Sequence, residues 1–384
     1  MTRHGLRITL FAGAFFLVTS LTVGMTRFGG GLALVWFGSA IAAVMLIGLA
    51  REYWRRGLVA IMAVSALATS LFGFGPHMAA PLALVNTFEI WLIARLLLAI
   101  RPQRDWLDNV GGLAVLVAVG GLVGPGIAAV LGGLVATYGA PGGWQFHAAS
   151  WWAAHGLGTL LGFPIAYLLA TKTREDLGKR WSAWQGAELG AHLALTGLVT
   201  FAATAQDRFP ILFLPVVPLL LAAFRCGREG ANLGLLTIAG IVVATYGRES
   251  SPISGFDFTA AQKLLFIQFY LATLSLLAIP VSVALRQHRL VLIELEKRKA
   301  LKQLIAEHSD DALLNLDGEG RIRYASPAAA RLSGQDELVS EPLAVFFDPL
   351  DELLVHGALD QAAAAPGETV DMERAVVRGE DQLW

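Results

Sequence analysis

A few polar and ionisable residues stand inside long apolar stretches of this sequence, and they are the first candidates for chemistry. Asn86 and Glu89 lie one helical turn apart in one such stretch. In another, His155 follows the aromatic pair Trp151 and Trp152. Because an ionisable group in the hydrocarbon interior is costly, it points to ligand binding, proton sensing or an interhelical hydrogen bond. We take these five as candidate signal-sensing residues, with a packed structural role as the alternative for each.

The sequence carries no recognisable catalytic or metal-binding motif. It has no GGDEF-like loop, EAL signature, Walker-type glycine-rich loop or Ser/His/Asp set, and His308 lacks the context of a phosphoacceptor helix. Its single cysteine, Cys226, rules out an internal disulfide and cysteine-rich metal sites. Lys and Arg are scattered over loops, which disfavours nucleic-acid binding. We therefore expect no catalytic residue, no metal and no nucleic-acid partner in these 384 residues.

Composition indicates that membrane helices hold the candidate residues. The chain is 55% hydrophobic and only 15% charged, against about a quarter charged in an ordinary soluble domain. Residues 1–285 contain 29 charged side chains, whereas residues 286–384 contain 30. The first part is therefore expected to lie in the lipid bilayer and the second in water.

Ten windows are apolar enough for a spanning helix if tilt and breaks are allowed. They are 6–25, 31–50, 58–74, 82–100, 111–137, 148–171, 189–206, 209–224, 231–247 and 260–285. The third and eighth are short, so eight spans remain open if two windows are re-entrant. The fifth contains Gly124-Pro125-Gly126, where proline is expected to break the helix.

Loop charges predict the orientation. With an even number of spans and the amino terminus inside, thirteen Lys and Arg side chains lie in cytoplasmic loops and four in outer loops. This bias agrees with the tendency of short basic loops to stay inside. Both termini are therefore expected in the cytoplasm.

Residues 286–307 are predicted to form a connecting helix. Leu290, Ile293, Ala300 and Leu304 can occupy the apolar positions of three heptads, which Lys297 interrupts. Since this segment continues the last span, we expect a stiff rod that pairs with a second copy in a homodimer.

The remaining residues, 308–384, predict an α+β domain. Asp317-Gly318 joins two short strands, Ser326-Pro327 starts a helix, Gly334 ends it, and 348–365 forms a longer helix. This order, with the motif Leu314–Ser326, resembles a PAS domain. The resemblance covers about 302–384 and implies further strands after Trp384, so the domain is expected to be incomplete. In haem-binding members a histidine stands near the position of His356, which makes haem one conceivable cofactor; otherwise the cofactor is unknown.

Residues 1–285 resemble the bacterial membrane-associated sensor family of the first type (the MASE group). The resemblance rests on the order of short patterns, namely Trp36–Ala40, Asn86 with Glu89, Ala94–Leu97, Gly124–Ala129, Trp151–Gly158, Phe163-Pro164 and Ala223–Gly227. It implies a multi-pass sensory module in the bacterial inner membrane. Such modules commonly precede diguanylate cyclase, cyclic-di-GMP phosphodiesterase or histidine-kinase outputs.

Three interpretations therefore stay in view. The first is a polytopic helical sensor that relays an unknown small-molecule signal through the rod to a PAS domain and on to an output outside this chain. The second is a secondary transporter or channel with a regulatory cytoplasmic domain, which broken spans and a buried Glu89 would suit. The third is an enzyme whose catalytic part follows Trp384.

Overall fold

The computed structural model describes two compact units, residues 1–289 and 290–384. The described residues are 3–26, 33–139, 142–171, 182–209, 211–245, 252, 257–308, 311–335, 337–365, 368–372, 376–378 and 381–383. The first unit is helical, and the second combines short helices with two-stranded antiparallel sheets.

The first unit confirms a polytopic helical bundle. Its described helices are α1 (Arg3–Thr26), α2 (Gly38–Gly48), α3 (Trp54–Phe72), α4 (Pro76–Ile100), α5 (Val110–Leu116), α6 (Gly124–Ala136), α7 (Trp144–Thr171), α8 (Ala183–Thr204) and α9 (Val216–Thr245). The next helix, α10 (Ala260–His308), begins in this unit and ends in the second. Among the described residues, seven helical stretches are long and apolar enough to cross a membrane. Each of the ten predicted windows overlaps at least one described helix of this series. The windows 209–224 and 231–247 each overlap one half of α9, and the two halves join at a bend where Gly227 has φ 63°.

The second window forms a much shorter helix than expected. α2 has 11 residues and would extend only about 16 Å, roughly half the hydrocarbon thickness. The preceding residues 33–37 are not helical, yet Leu34 is completely buried. Non-helical backbone is tolerated at membrane depth only where protein groups bond it. Here the Trp36 N–H donates to the Ala154 carbonyl (3.0 Å), and Gln268 Nε2 of α10 donates to the Leu34 carbonyl (2.9 Å).

The predicted break at Gly124-Pro125-Gly126 is wrong. The chain stays helical, but Val117–Val123 forms a π-helical segment between α5 and α6. Pro125 has no N–H, so the usual bond to the carbonyl four residues earlier cannot form. We attribute the wider helical turn, rather than a break, to this missing bond.

The second unit follows the predicted order. Strands β1 (Leu314–Leu316) and β2 (Ile322–Ala325) form the hairpin, followed by α11 (Pro327–Ser333), α12 (Glu352–Ala364), β3 (Val376–Arg378) and β4 (Asp381–Leu383). Ser326 Oγ accepts the Ala329 N–H at the start of α11, and Gly334 ends it with φ 70°. In the hairpin turn, the Arg321 and Glu319 N–H groups donate to the Asp317 carboxylate and lower its pKa.

Candidate functional site

The Glu89 carboxylate lies fully buried within α4 and contacts three other side chains. Ser39 Oγ of α2 donates to Glu89 Oε1 (2.6 Å). Trp151 Nε1 of α7 donates to Oε2 (3.0 Å), and His155 Nδ1 lies 2.8 Å from the same oxygen. The carboxylate therefore joins three helices at one point, as expected for an ionisable group that cannot reach water.

The imidazole of His155 lies between two indole rings. The Trp36 ring is 5.2 Å away and nearly parallel (7°), and the Trp151 ring is 4.3 Å away at 22°. Ser39 Oγ is 3.5 Å from His155 Nδ1. We call these five side chains, Trp36, Ser39, Glu89, Trp151 and His155, the Glu89 cluster.

Close backbone packing places α7 against the extended segment before α2. The Trp36 N–H bond to Ala154 fixes the segment one residue before His155. One turn further along α7, a Cβ at Gly158 would overlap the backbone of Trp36. Only glycine allows the two backbones to come this close. This close approach places the Trp36 ring against the imidazole of His155.

A small cavity of about 50 Å³ adjoins the Glu89 cluster. Trp36, Asn86, Trp151 and His155 line it, together with mostly apolar residues of α1, α3, α4 and α7. Asn86 Nδ2 donates to Ser65 Oγ of α3 (2.9 Å), whereas Asn86 Oδ1 has no hydrogen-bond partner among the described residues. Since a water needs about 10–15 Å³ of such space, the cavity has room for a few waters or one very small polar molecule.

The structure brings together four of the five candidates and separates the fifth. Glu89, Trp151 and His155 are in contact, and Asn86 borders the same cavity. Trp152 is 45% exposed and donates instead to the Leu122 carbonyl of the π-helical segment (3.0 Å). Trp152 therefore lies outside the cluster.

Two members of the cluster were not among the predicted site residues. Trp36 and Ser39 come from α2 and its preceding segment, whereas the predictions concentrated on Glu89 and His155. A hydroxyl in an apolar stretch is common in membrane helices and commonly bonds its own backbone. The one available signal was the aromatic Trp36 with a small polar residue one turn later.

The arrangement suits proton exchange or recognition of a small polar group. His155 Nδ1 and Glu89 Oε2 are within hydrogen-bond distance at 2.8 Å, and the Ser39 hydroxyl lies next to both groups. Within the described ranges, no three His, Cys, Asp or Glu side chains lie close enough to hold a metal ion.

His356 lies on the exposed face of α12, where its Nδ1 is 2.8 Å from the Glu352 carbonyl. Haem binding at His356 stays a prediction.

Comparison with protein-family models assigns both parts of the chain. The MASE1 model matches residues 7–289, and a PAS domain model matches residues 300–365. No curated protein and no solved structure matches the chain significantly. The resemblances drawn from the sequence are thereby confirmed. Because the first match covers most of the chain, including all residues of the Glu89 cluster, the protein belongs to the MASE1 family of membrane sensory domains, here followed by a PAS domain.

Proposed function

We propose that the Glu89 cluster is the signal-sensing site of this membrane sensory module and that α10 relays its state to the PAS domain. A change in protonation at Glu89 or His155, or binding of a small polar molecule in the adjoining cavity, would alter the contacts of Ser39 and Trp36. The signal itself would reach the cavity from the membrane or the outer side. The output would be cyclic-di-GMP turnover or histidine phosphorylation by a domain outside this chain.

One contact carries this proposal. Gln268, only 1% exposed, hydrogen-bonds to the carbonyl of Leu34, two residues before Trp36. The segment that bears Trp36 and leads to Ser39 is thus tied to α10. Since α10 continues without interruption to His308, a shift of this segment has a short path toward the connecting helix.

The proposal can be tested by cross-linking in the connecting helix. Ile293→Cys, in a Cys226→Ser background, reports through disulfide formation how closely two copies approach. We expect Glu89→Gln to change the disulfide yield in liposomes by at least about fivefold, the scale of ordinary coupling between sites. Gln268→Leu is expected to suppress that change, because it removes the contact with Leu34.

A matched control separates relay from a general effect of charge. Glu188 of α8 is paired with Arg225, whose side chain is well exposed. Glu188→Gln should leave the yield at Ile293 unchanged. Equal yields for Glu89→Gln and Glu188→Gln would refute the relay, and absence of any cross-link would refute the predicted homodimer.

The transporter alternative uses the same buried pair. A carboxyl group beside an imidazole would also serve proton-coupled transport, and it predicts proton flux through liposomes that contain residues 1–285. Glu89→Gln would abolish that flux. We favour the sensor because a PAS domain follows the membrane unit.

A further inference from the structure

An apolar groove lies on the membrane unit between α1, α2, α7 and α9. Its volume is about 570 Å³, and its lining includes Leu10, Ala14, Ile41, Gly162, Ala166 and Leu236. This volume falls in the range of sites that bind a small organic ligand, about 300–1,000 Å³. All of the lining side chains are apolar, so a polar ligand would find nothing there to bond. We call it the α1–α7 groove.

Small side chains create the depth of the groove. Gly162 and Ala166 are spaced four residues apart and share one face of α7. At Gly162, even a methyl group would come within 2.9 Å of Ala40 Cβ. Across the groove, Ala14 is exposed on α1. Larger residues at Ala14 and Ala166 would fill the space.

A cation lies at one end of the groove. Arg7 is exposed and precedes Leu10 and Phe11 by one turn, so it continues the face of α1 that lines the groove. In the sequence, Lys172 directly follows the last residue of α7. The bias of the loop charges predicts that this end of the groove faces the cytoplasm. An occupant with a long apolar part and an anionic end at that side matches both features.

We propose that the α1–α7 groove binds one acyl chain of an anionic phospholipid, whose phosphate contacts Arg7. This inference does not depend on the proposed sensing role of the Glu89 cluster. It has a consequence for that cluster, however, because α2 lines the groove with Ile41 and reaches Glu89 with Ser39. An occupied groove would hold α2 from the side opposite the cluster.

Native mass spectrometry of the full chain in detergent tests the site directly. We expect the chain to retain one phosphatidylglycerol more tightly than phosphatidylcholine. Ala166→Trp should weaken retention at least about tenfold, a loss of about 1.4 kcal/mol. Arg7→Gln should abolish the preference for the anionic headgroup.

Matched variants on other surfaces provide the controls. Leu198→Trp adds an indole on α8, where the wild-type side chain is already 67% exposed, and Arg208→Gln removes a cation predicted to lie on the outer side. Neither substitution should change how tightly the chain retains phosphatidylglycerol. If Ala166→Trp does not fold, Ala14→Phe fills the groove from an exposed position of α1 and replaces it. The proposal would be overturned if the groove variants and the control variants retained phosphatidylglycerol equally. It would also be overturned if the wild type retained both lipids equally, or if a dimer interface occluded the groove.

Discussion

A carboxyl group that no solvent reaches must be held by other protein groups, and Glu89 is held by three. Its partners come from α2 and α7, and the Ser39 contact joins residues 50 positions apart in the chain. Sequence reasoning could identify Glu89 and His155, because an ionisable residue in an apolar window is rare, and Trp151 as the aromatic residue one helical turn before His155. It could not identify Ser39, since local pattern carries no information about which distant helix a hydroxyl will face.

The Ser39 bond to Glu89 should contribute measurably to stability. Ser39→Ala removes a donor from a fully buried carboxylate, and interhelical bonds in membranes contribute about 0.6–1.7 kcal/mol. We expect the unfolding free energy in mixed micelles, followed by tryptophan fluorescence, to fall by that amount.

The control for this substitution is Ser275→Ala on α10. Ser275 is equally buried, but its hydroxyl donates to Leu271 of its own helix (2.7 Å). We therefore expect Ser275→Ala to lower the unfolding free energy by less than Ser39→Ala does. Equal destabilisation by the two variants would show that the Ser39 bond is no more than a local contact.

Among the helices, the approach of α7 to the segment before α2 determines whether the cluster forms. The existence of nearly every helix was evident from apolar length alone. Apolar length did not reveal that α2 is short, because the non-helical segment before it is bonded by groups from other helices. It also did not reveal the π-helical segment, which we attribute to the missing N–H of one proline. In the second unit, the turn and cap residues predicted β1, β2 and α11 well because their signals are local.

Gly158→Ala tests this helix approach. The added methyl group would overlap the Trp36 backbone, and overpacking of this kind costs about 1–3 kcal/mol. We expect a lower thermal midpoint in detergent, together with altered tryptophan fluorescence as Trp36 moves away from His155.

Gly190→Ala on α8 provides the comparison. A Cβ there meets nothing within 4 Å in the described chain, and alanine favours a helix more than glycine does. Its thermal midpoint should stay the same or rise. A Gly158→Ala midpoint that matches it would contradict the close packing of α7 on this segment.

For the molecule as a whole, the distribution of basic loops predicts where each end lies. Thirteen basic side chains on one side against four on the other predict that both termini lie in the cytoplasm if the number of spans is even. Among the described residues, seven helical stretches are long and apolar enough to span a membrane, α2 is short and α9 bends at Gly227, so the predicted count of eight or ten spans stays a prediction. The side of each loop depends on insertion into a bilayer, so it must be measured.

Cysteine labelling decides the orientation. In a Cys226→Ser background, a membrane-impermeant maleimide should label Arg208→Cys in intact spheroplasts. It should label Lys299→Cys only after lysis. Labelling of Lys299→Cys before lysis would place the connecting helix outside and exclude a cytoplasmic PAS domain.

The bond between Gln268 and the Leu34 carbonyl also bears on biogenesis. These groups are 234 positions apart in the chain, so a nascent polypeptide exposes the Leu34 carbonyl long before the ribosome reaches α10. The Leu34 carbonyl gains this partner only once α10 has inserted, so we expect the extended segment to reach its final packing late in the assembly of the helical bundle.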